Sequence, residues 1–185
     1  MYKRQRFNRE LLDLLPGDIN TWANDYEVRE SFIESLKWRN SSAFTERTFE
    51  IYEALQNHFN NYFDVIIQLS TIPDHPFNAL FIHKKLLCMK MAERDSFWTR
   101  QINDLSLDEG SISRRLIDWS ALEQSEDAAP EIQYLCAITL TWFTSSTCRE
   151  LRDKATKALT SLLRHNLSLY KDCLLYTSPS PRDCS

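Results

Sequence analysis

Glycine is the scarcest structural residue in this sequence, with two copies, Gly17 and Gly110, among 185 residues. A phosphate-binding loop of the form G-x-x-x-x-G-K-[ST] needs two glycines five positions apart, so the chain contains no such loop. Hairpin turns built on glycine are also absent, and no segment alternates apolar and polar residues as a half-buried strand does. These absences exclude a P-loop nucleotide site and argue against a β-rich fold.

Long hydrophobic runs and an excess of basic charge are missing as well. No apolar stretch approaches the roughly 18 residues that span a bilayer, and charged residues follow the basic start of the chain where a signal peptide would be apolar. The 22 Lys and Arg residues are outnumbered by 26 Asp and Glu, which gives a net charge of -4. We therefore expect no membrane association and no secretion, and the acidic balance disfavours nucleic acid as the main partner.

The five cysteines, at positions 88, 136, 148, 173 and 184, show no paired spacing. Such scattered cysteines are typical of thiols in a reducing compartment rather than of a disulfide framework. The sequence therefore predicts a cytoplasmic protein.

The residues that are present favour helices. Apolar side chains make up 43% of the chain with their aromatic members included, and they recur at the i, i+3, i+4, i+7 spacing of amphipathic helices. The pattern predicts helices over residues 7–15, 25–38, 43–58, 61–70, 76–87, 92–103, 111–122, 130–143 and 148–165. Short connections between them predict antiparallel neighbours in an all-α fold.

Several residues suit the ends of these helices. Asn24 is expected to cap the second helix, with Glu27 at the capping-box position, and Thr147 and Glu150 have the same spacing before the last helix. Pro76 and Pro130 are expected in first turns, where the missing amide donor is not needed.

The last helix resembles the second helix of a HEAT repeat. Residues 151–163, LRDKATKALTSLL, combine an aliphatic–Arg start with Ala and Leu at helical spacing, and residues 28–36 repeat that start more loosely. Small alanines allow a neighbouring helix to approach closely. The resemblance implies antiparallel helix pairs stacked as a degenerate HEAT-like α-solenoid, because no strict repeat period runs through the chain.

Residues 91–99, MAERDSFWT, together with residues 141–146, TWFTSS, and 151–159, LRDKATKAL, resemble a stretch downstream of the nucleotide-binding domain in large bacterial P-loop ATPases of the STAND type. Several members of that class act in antiphage defence. The resemblance covers about residues 18–172 and implies a sensor or relay arm that binds a protein partner or the rest of the parent chain. It transfers no nucleotide-binding residue.

Residues 173–183, CLLYTSPSPRD, resemble a translated sequencing adapter rather than natural protein. We therefore expect a helical repeat domain over residues 1–172, truncated at its C-terminus, and a non-native or disordered tail over residues 173–185. A genuine Ser/Pro-rich tail is the alternative, and it too would form no fold.

Three groups of residues could carry chemistry, and each also has a structural interpretation. Asp74, His75 and His83 lack the i, i+4 spacing of zinc-binding helices, so capping or surface roles are favoured over a metal site. Glu93–Asp95 could form an acid/base cluster but suits the first turn of a helix, with Arg94 reaching a neighbouring repeat. Cys136 and Cys148 are expected to be inert thiols in apolar helices.

The cluster formed by Arg149, Arg152, Lys154, Lys157 and Arg164 is the one basic helix face, and it suits solvent better than nucleic acid. The tryptophans at positions 22, 38, 98, 119 and 142 are spaced as separate anchors between helices. The sequence therefore predicts a non-catalytic scaffold with no catalytic, metal or cofactor residues. An α-helical enzyme completed by sequence outside this chain and a weak nucleic-acid-binding repeat remain the alternatives.

Overall fold

A computed structural model of the protein describes residues 25–55, 62–102, 110–122, 125, 127–164 and 171. These residues contain helices and no strand, which confirms the all-α prediction. The chain divides into two compact units, residues 1–65 and 66–185. The eight described helices are α1 Tyr26–Leu36, α2 Glu46–Leu55, α3 Tyr62–Ser70, α4 Ala79–Cys88, α5 Met91–Arg94, α6 Ile112–Ser120, α7 Pro130–Phe143 and α8 Arg149–Arg164.

Helix α1 begins at Tyr26, one residue after the predicted start at residue 25. The Asp25 carboxylate accepts hydrogen bonds from the amides of Glu27 and Val28 at 3.0 and 3.2 Å, so Asp25 rather than Asn24 is the N-cap. Asp and Asn are almost equivalent caps, and sequence alone did not separate adjacent candidates. The helix buries Phe32, Ile33, Ser35 and Leu36.

Helix α2 begins later than the predicted 43–58 segment, because a separate 3₁₀ turn precedes it. A 3₁₀ turn occupies Ser41–Ala43, and α2 begins only at Glu46. The amide of Thr45 donates to the hydroxyl of Thr48 at 3.1 Å. The residues predicted to face inward are Phe44, Thr48, Ile51, Tyr52, Leu55 and Phe59. Of these, Thr48, Ile51, Tyr52 and Leu55 are buried and Phe44 is half-buried. Phe59, residues 56–58 and the predicted helix over residues 7–15 lie outside the described residues.

Helix α4 begins at Ala79, three residues after the predicted start at Pro76. The Asn78 side chain accepts from the amide of Leu80 at 3.0 Å and donates to the carbonyl of Pro73 at 2.8 Å. These bonds fix a turn before the helix and cap its first amides, so Pro76 lies in the turn instead of in the helix.

The helix predicted over residues 92–103 changes type along its length. Met91–Arg94 is α-helical, Asp95–Thr99 forms a π turn, and helical structure resumes at residues 100–102. An inserted π turn rotates the following side chains relative to an uninterrupted α-helix. Such turns recur at functional sites.

Helix α7 is the central helix of the second unit, as its apolar sequence predicts. It begins at Pro130 as expected, and every residue from Leu135 to Leu140 is buried. It packs against α4, α6 and α8. Ala79 of α4 joins Leu135 and Ile138 in one buried cluster.

Helix α8 packs through one narrow stripe formed by Leu151, Ala155, Ala158 and Leu162. The two alanines are fully buried, which agrees with close approach of α7. Glu150, predicted to form a capping box, instead makes ion pairs. Its carboxylate accepts from Arg114 of α6 and Lys154 of α8, so it does not close a capping box with Thr147.

No helix among the described residues is long and apolar enough to cross a membrane.

Two buried serines in the second unit have opposite hydrogen-bonding environments, and they generate a stability prediction. The hydroxyl of Ser70 donates to the carbonyl of Ile67 at 2.7 Å. The equally buried hydroxyl of Ser120 has no hydrogen-bond partner in the part of the chain that the structure describes.

We expect Ser120→Ala to raise the free energy of unfolding by about 1 kcal/mol, because it removes a desolvated hydroxyl that gains nothing on folding. Ser70→Ala is the matched control, since both changes share the higher helix propensity of alanine. It should lower stability relative to Ser120→Ala by about 1 kcal/mol or more in urea unfolding followed by far-UV circular dichroism. Equal effects at the two positions would contradict the prediction.

Candidate functional site

The C-terminal end of α7 collects side chains from three other segments of the second unit. We call His83, Arg94, Trp98, Trp142 and Phe143 the Trp142 cluster. It joins α4, α5, the π turn and α7. The segments 91–99 and 141–146, which carry much of the resemblance to STAND-type ATPases, therefore contact each other.

Trp98 places the π turn against α7. Its indole nitrogen Nε1 donates to the main-chain carbonyl of Trp142 at 3.1 Å, and its ring lies edge-on to that of Trp142, with centroids 6.0 Å apart. The same ring stacks on Phe143 at 6.3 Å. Trp98 is only 2% exposed, so the π turn buries an aromatic anchor against α7.

His83 holds the other side of Trp142. The indole Nε1 of Trp142 donates to Nδ1 of His83 at 3.1 Å, and His83 is 2% exposed. Because Nδ1 accepts a proton donor, the neutral imidazole carries its own proton on Nε2. The hydrogen bond to Nδ1 therefore joins α4 to α7.

Arg94 covers the face of the same tryptophan. Its guanidinium carbon Cζ lies 5.7 Å from the centroid of the Trp142 ring, which is a cation–π distance. Arg94 is half-buried while Glu93 and Asp95 are exposed. Arg94 thus contacts another helix, α7, while its two acidic neighbours lie at the surface.

Polar bonds also cover the carbonyls at the end of α7, which have no partner within the helix. The Ser145 hydroxyl donates to the carbonyl of Trp142 at 2.6 Å, and Thr144 donates to that of Thr141 at 2.6 Å. Arg152 of α8 reaches the carbonyl of Ser146 at 3.3 Å. Arg152 of the predicted basic face therefore fixes the loop between α7 and α8.

The three residues considered for a metal site do not converge. His75 is buried, and its Nδ1 accepts from the amide of Phe77 at 3.0 Å within the turn before α4. Asp74 is exposed. No group of three potential metal-ligating residues occurs among the described positions. His75 thus stabilises the turn before α4, whose N-cap is Asn78, and neither histidine is a surface residue.

The rest of the basic face is interleaved with acids. Arg149 lies 3.4 Å from Asp153, and Lys154 lies 2.9 Å from Glu150. Glu150 also contacts Arg114 at 2.5 Å. Lys154 and then Arg114 hold the pKa of this exposed carboxyl below its ordinary value.

The tryptophans are not spaced as separate anchors, which corrects the sequence interpretation. Trp98 and Trp142 contact each other, and Trp38 is 39% exposed. Trp22 lies outside the described residues. Sequence spacing did not reveal the pair because 44 positions separate its members along the chain.

Arg39 in the first unit is a feature that the sequence analysis missed. Its guanidinium lies 5.2 Å from the ring of Phe32 and 6.0 Å from that of Phe44, and it donates to the hydroxyl of Ser35. Burial lowers its pKa to about 10. Phe32 and Ser35, on the inward side of α1, are the only sequence signal for this contact.

The bond between His83 and Trp142 generates a prediction for a double-mutant cycle. His83→Phe keeps an aromatic ring but leaves the indole N–H of Trp142 without this acceptor, so we expect a loss of about 1–3 kcal/mol in unfolding free energy. In a Trp142→Phe background the same change should cost at least about 1 kcal/mol less, because the donor is already absent. Additive costs in chemical denaturation would show that the bond contributes nothing.

The described cysteines differ in reactivity. Cys136 is buried, and burial raises the pKa of its thiol to about 12, whereas Cys88 is exposed. The thiolate is the reactive form. In a Cys173→Ser/Cys184→Ser background we therefore expect Ellman's reagent at pH 8 to modify Cys88 quickly and Cys136 only after unfolding.

The same raised pKa predicts a pH effect with a defined sign. Above the unfolded value of about 8.5 the thiol ionises in the unfolded chain but stays protonated in the fold until about pH 12. Its stabilising contribution is therefore lost as the pH rises through this window. Cys136→Val should show a shallower alkaline decline in stability. Rapid native labelling of Cys136 would contradict both expectations.

No protein-family model matches the sequence, and comparisons with curated proteins and with solved structures likewise find no match.

Proposed function

We propose that this chain is a non-catalytic interaction segment of a larger protein, built as stacked helix pairs that bind a partner by shape and surface charge. The observation that carries the proposal is the Trp142 cluster. Its polar groups, including the His83 Nδ1 and the Arg94 guanidinium, contact Trp142 and hold α4, α5 and α7 together. The side chains best suited to chemistry thus serve to build a rigid surface.

The packing within the second unit supports a HEAT-like arrangement. A five-residue connection joins α7 to α8, and the two helices pack together, as antiparallel neighbours do. Helix α6 packs on both, and Arg114 near its start meets Glu150 near the start of α8. Contact between alternate helices running in the same direction is the pattern of a solenoid of helix pairs.

The surface near the cluster also suits a protein partner. Met91 is 71% exposed, and Arg94 lies one helical turn away on α5 with its guanidinium held against Trp142. Methionine, arginine and tryptophan are enriched at protein interfaces. A cation held in place by stacking loses less conformational entropy on binding than a mobile one.

In the setting of a STAND-type ATPase, this segment is a cytoplasmic sensor or relay arm that transmits binding of a target, as in antiphage defence, to a nucleotide-binding domain elsewhere in the parent protein. The supporting observation is the contact between residues 91–99 and 141–146 through Trp98 and Trp142. The contact joins two separate parts of the resemblance into one rigid body, and a relay needs such a joint.

A second candidate is an α-helical enzyme whose site is completed by other sequence. The π turn at Asp95–Thr99 favours it, because π turns are common at functional sites and exposed Glu93 and Asp95 flank Arg94. The two carboxylates are the groups available there for acid/base chemistry.

The intact gene separates the two candidates. Sequencing across codon 172 and upstream of codon 1 should reveal a P-loop ATPase domain, and its absence would remove the STAND-type role. In the purified intact protein, we expect Glu93→Ala/Asp95→Ala to leave ATP hydrolysis and every other measured activity unchanged, because both side chains are exposed and serve no described contact with Trp142. Loss of activity with an unchanged circular dichroism spectrum would favour the enzyme.

A further inference from the structure

Helices α6 and α8 carry a basic excess that runs against the charge of the whole chain. The net charge of the chain is -4, yet these two packed helices carry seven basic side chains and three acidic ones. The basic residues are Arg114, Arg115, Arg149, Arg152, Lys154, Lys157 and Arg164, and the acidic residues are Asp118, Glu150 and Asp153.

The acids on α8 are already compensated. Glu150 accepts from two cations, Arg114 at 2.5 Å and Lys154 at 2.9 Å, and Asp153 lies near Arg149. The carboxylate of Glu150 thus lies between cations from two helices. This arrangement shows that the surface can hold a carboxylate between α6 and α8.

Other cations on the same helix pair remain uncompensated. Arg115, Lys157 and Arg164 are exposed, and they form no ion pair with any residue that the structure describes. The buried stripe at Leu151, Ala155, Ala158 and Leu162 fixes the rotation of α8. Lys157 and Arg164, seven positions apart, therefore share the outward side, about 10 Å apart along the axis.

We propose that this surface binds an acidic helix of a protein partner, with carboxylates about two helical turns apart opposite Lys157 and Arg164. The inference rests on the scaffold function proposed above and names the chemistry of its partner. Along the outer side of α8 the charges are Arg149, Asp153, Lys157 and Arg164. A helix with carboxylates at i and i+7 meets the two uncompensated cations and avoids Asp153.

The same pattern disfavours a polyphosphate. A nucleic acid presents negative charge without interruption along its length, so it would place phosphates opposite Asp153 as well as opposite the cations. Helix α8 also contains no aromatic residue on which a base could stack. Mixed charge on one helix face is the pattern that selects among protein helices.

The test uses the full chain and two fluorescein-labelled, alanine-based helical peptides. One peptide has glutamates at positions i and i+7, and the other has lysines at the same positions. In fluorescence anisotropy at low salt, the glutamate peptide should bind. Its affinity should fall as added salt screens the charges.

Lys157→Glu/Arg164→Glu should lower the affinity for the glutamate peptide by about ten-fold or more, and this variant should bind the lysine peptide. The matched control, Lys84→Glu/Arg100→Glu, changes the net charge equally at two exposed positions elsewhere and should retain the affinity of the original chain. Charge reversal could disturb the helix by adding acids beside Asp153. Lys157→Gln/Arg164→Gln adds no acid, and it should also weaken binding of the glutamate peptide.

Three results would overturn the inference. They are an absence of binding at low salt, equal loss in the Lys157/Arg164 and Lys84/Arg100 variants, and tighter binding of a double-stranded DNA oligonucleotide that depends on Lys157 and Arg164. None of them bears on the scaffold proposal, which is decided by the intact gene and by the Glu93/Asp95 variant.

Discussion

The second unit depends on how the C-terminal end of α7 is satisfied. The last carbonyls of a helix lack intrahelical partners, and burying them costs free energy unless other donors reach them. Here Trp98 and Ser145 both donate to the carbonyl of Trp142, and Arg152 donates to the carbonyl of Ser146 in the loop that follows the helix. The donors come from different segments, so satisfying one helix end also fixes the positions of the π turn and α8.

Trp142 determines which residues contact this end of α7. Its carbonyl accepts from Trp98, its indole N–H donates to His83, and its ring lies under Arg94. Apolar burial alone is non-directional and would allow the helices to slide along one another. Hydrogen bonds with fixed partners remove this freedom, which gives the pair of segments 91–99 and 141–146 a single relative position.

The helices and the inward residues of most of them could be predicted from sequence, because both follow from local periodicity. Pro130 set the start of α7 correctly, and Ala155, Ala158 and Leu162 of the buried stripe on α8 were evident from their spacing. The errors arose where two local signals competed. Asp25 displaced Asn24 as a cap, and Asn78 displaced Pro76 as the start of α4, because a side chain that caps an amide outweighs a proline that merely tolerates the position.

The candidate site could not be predicted in the same way, because its bonds join residues far apart in sequence. His83 and Trp142 are 59 positions apart, and nothing in the spacing of either indicates the other. The π turn at Asp95–Thr99 was not predicted either, because the sequence over residues 92–103 fits an uninterrupted α-helix.

The two surfaces of the second unit differ in how firmly they are held, and this difference bears on how a scaffold would use them. Arg94 lies against Trp142 and gains little by moving, whereas Arg149 is a largely exposed side chain near a single acid. Exposed ion pairs contribute little stability because solvent screens them, so a partner can exchange them at low cost. The acidic partner proposed above would therefore exchange charges along α8 without disturbing the packing at the end of α7.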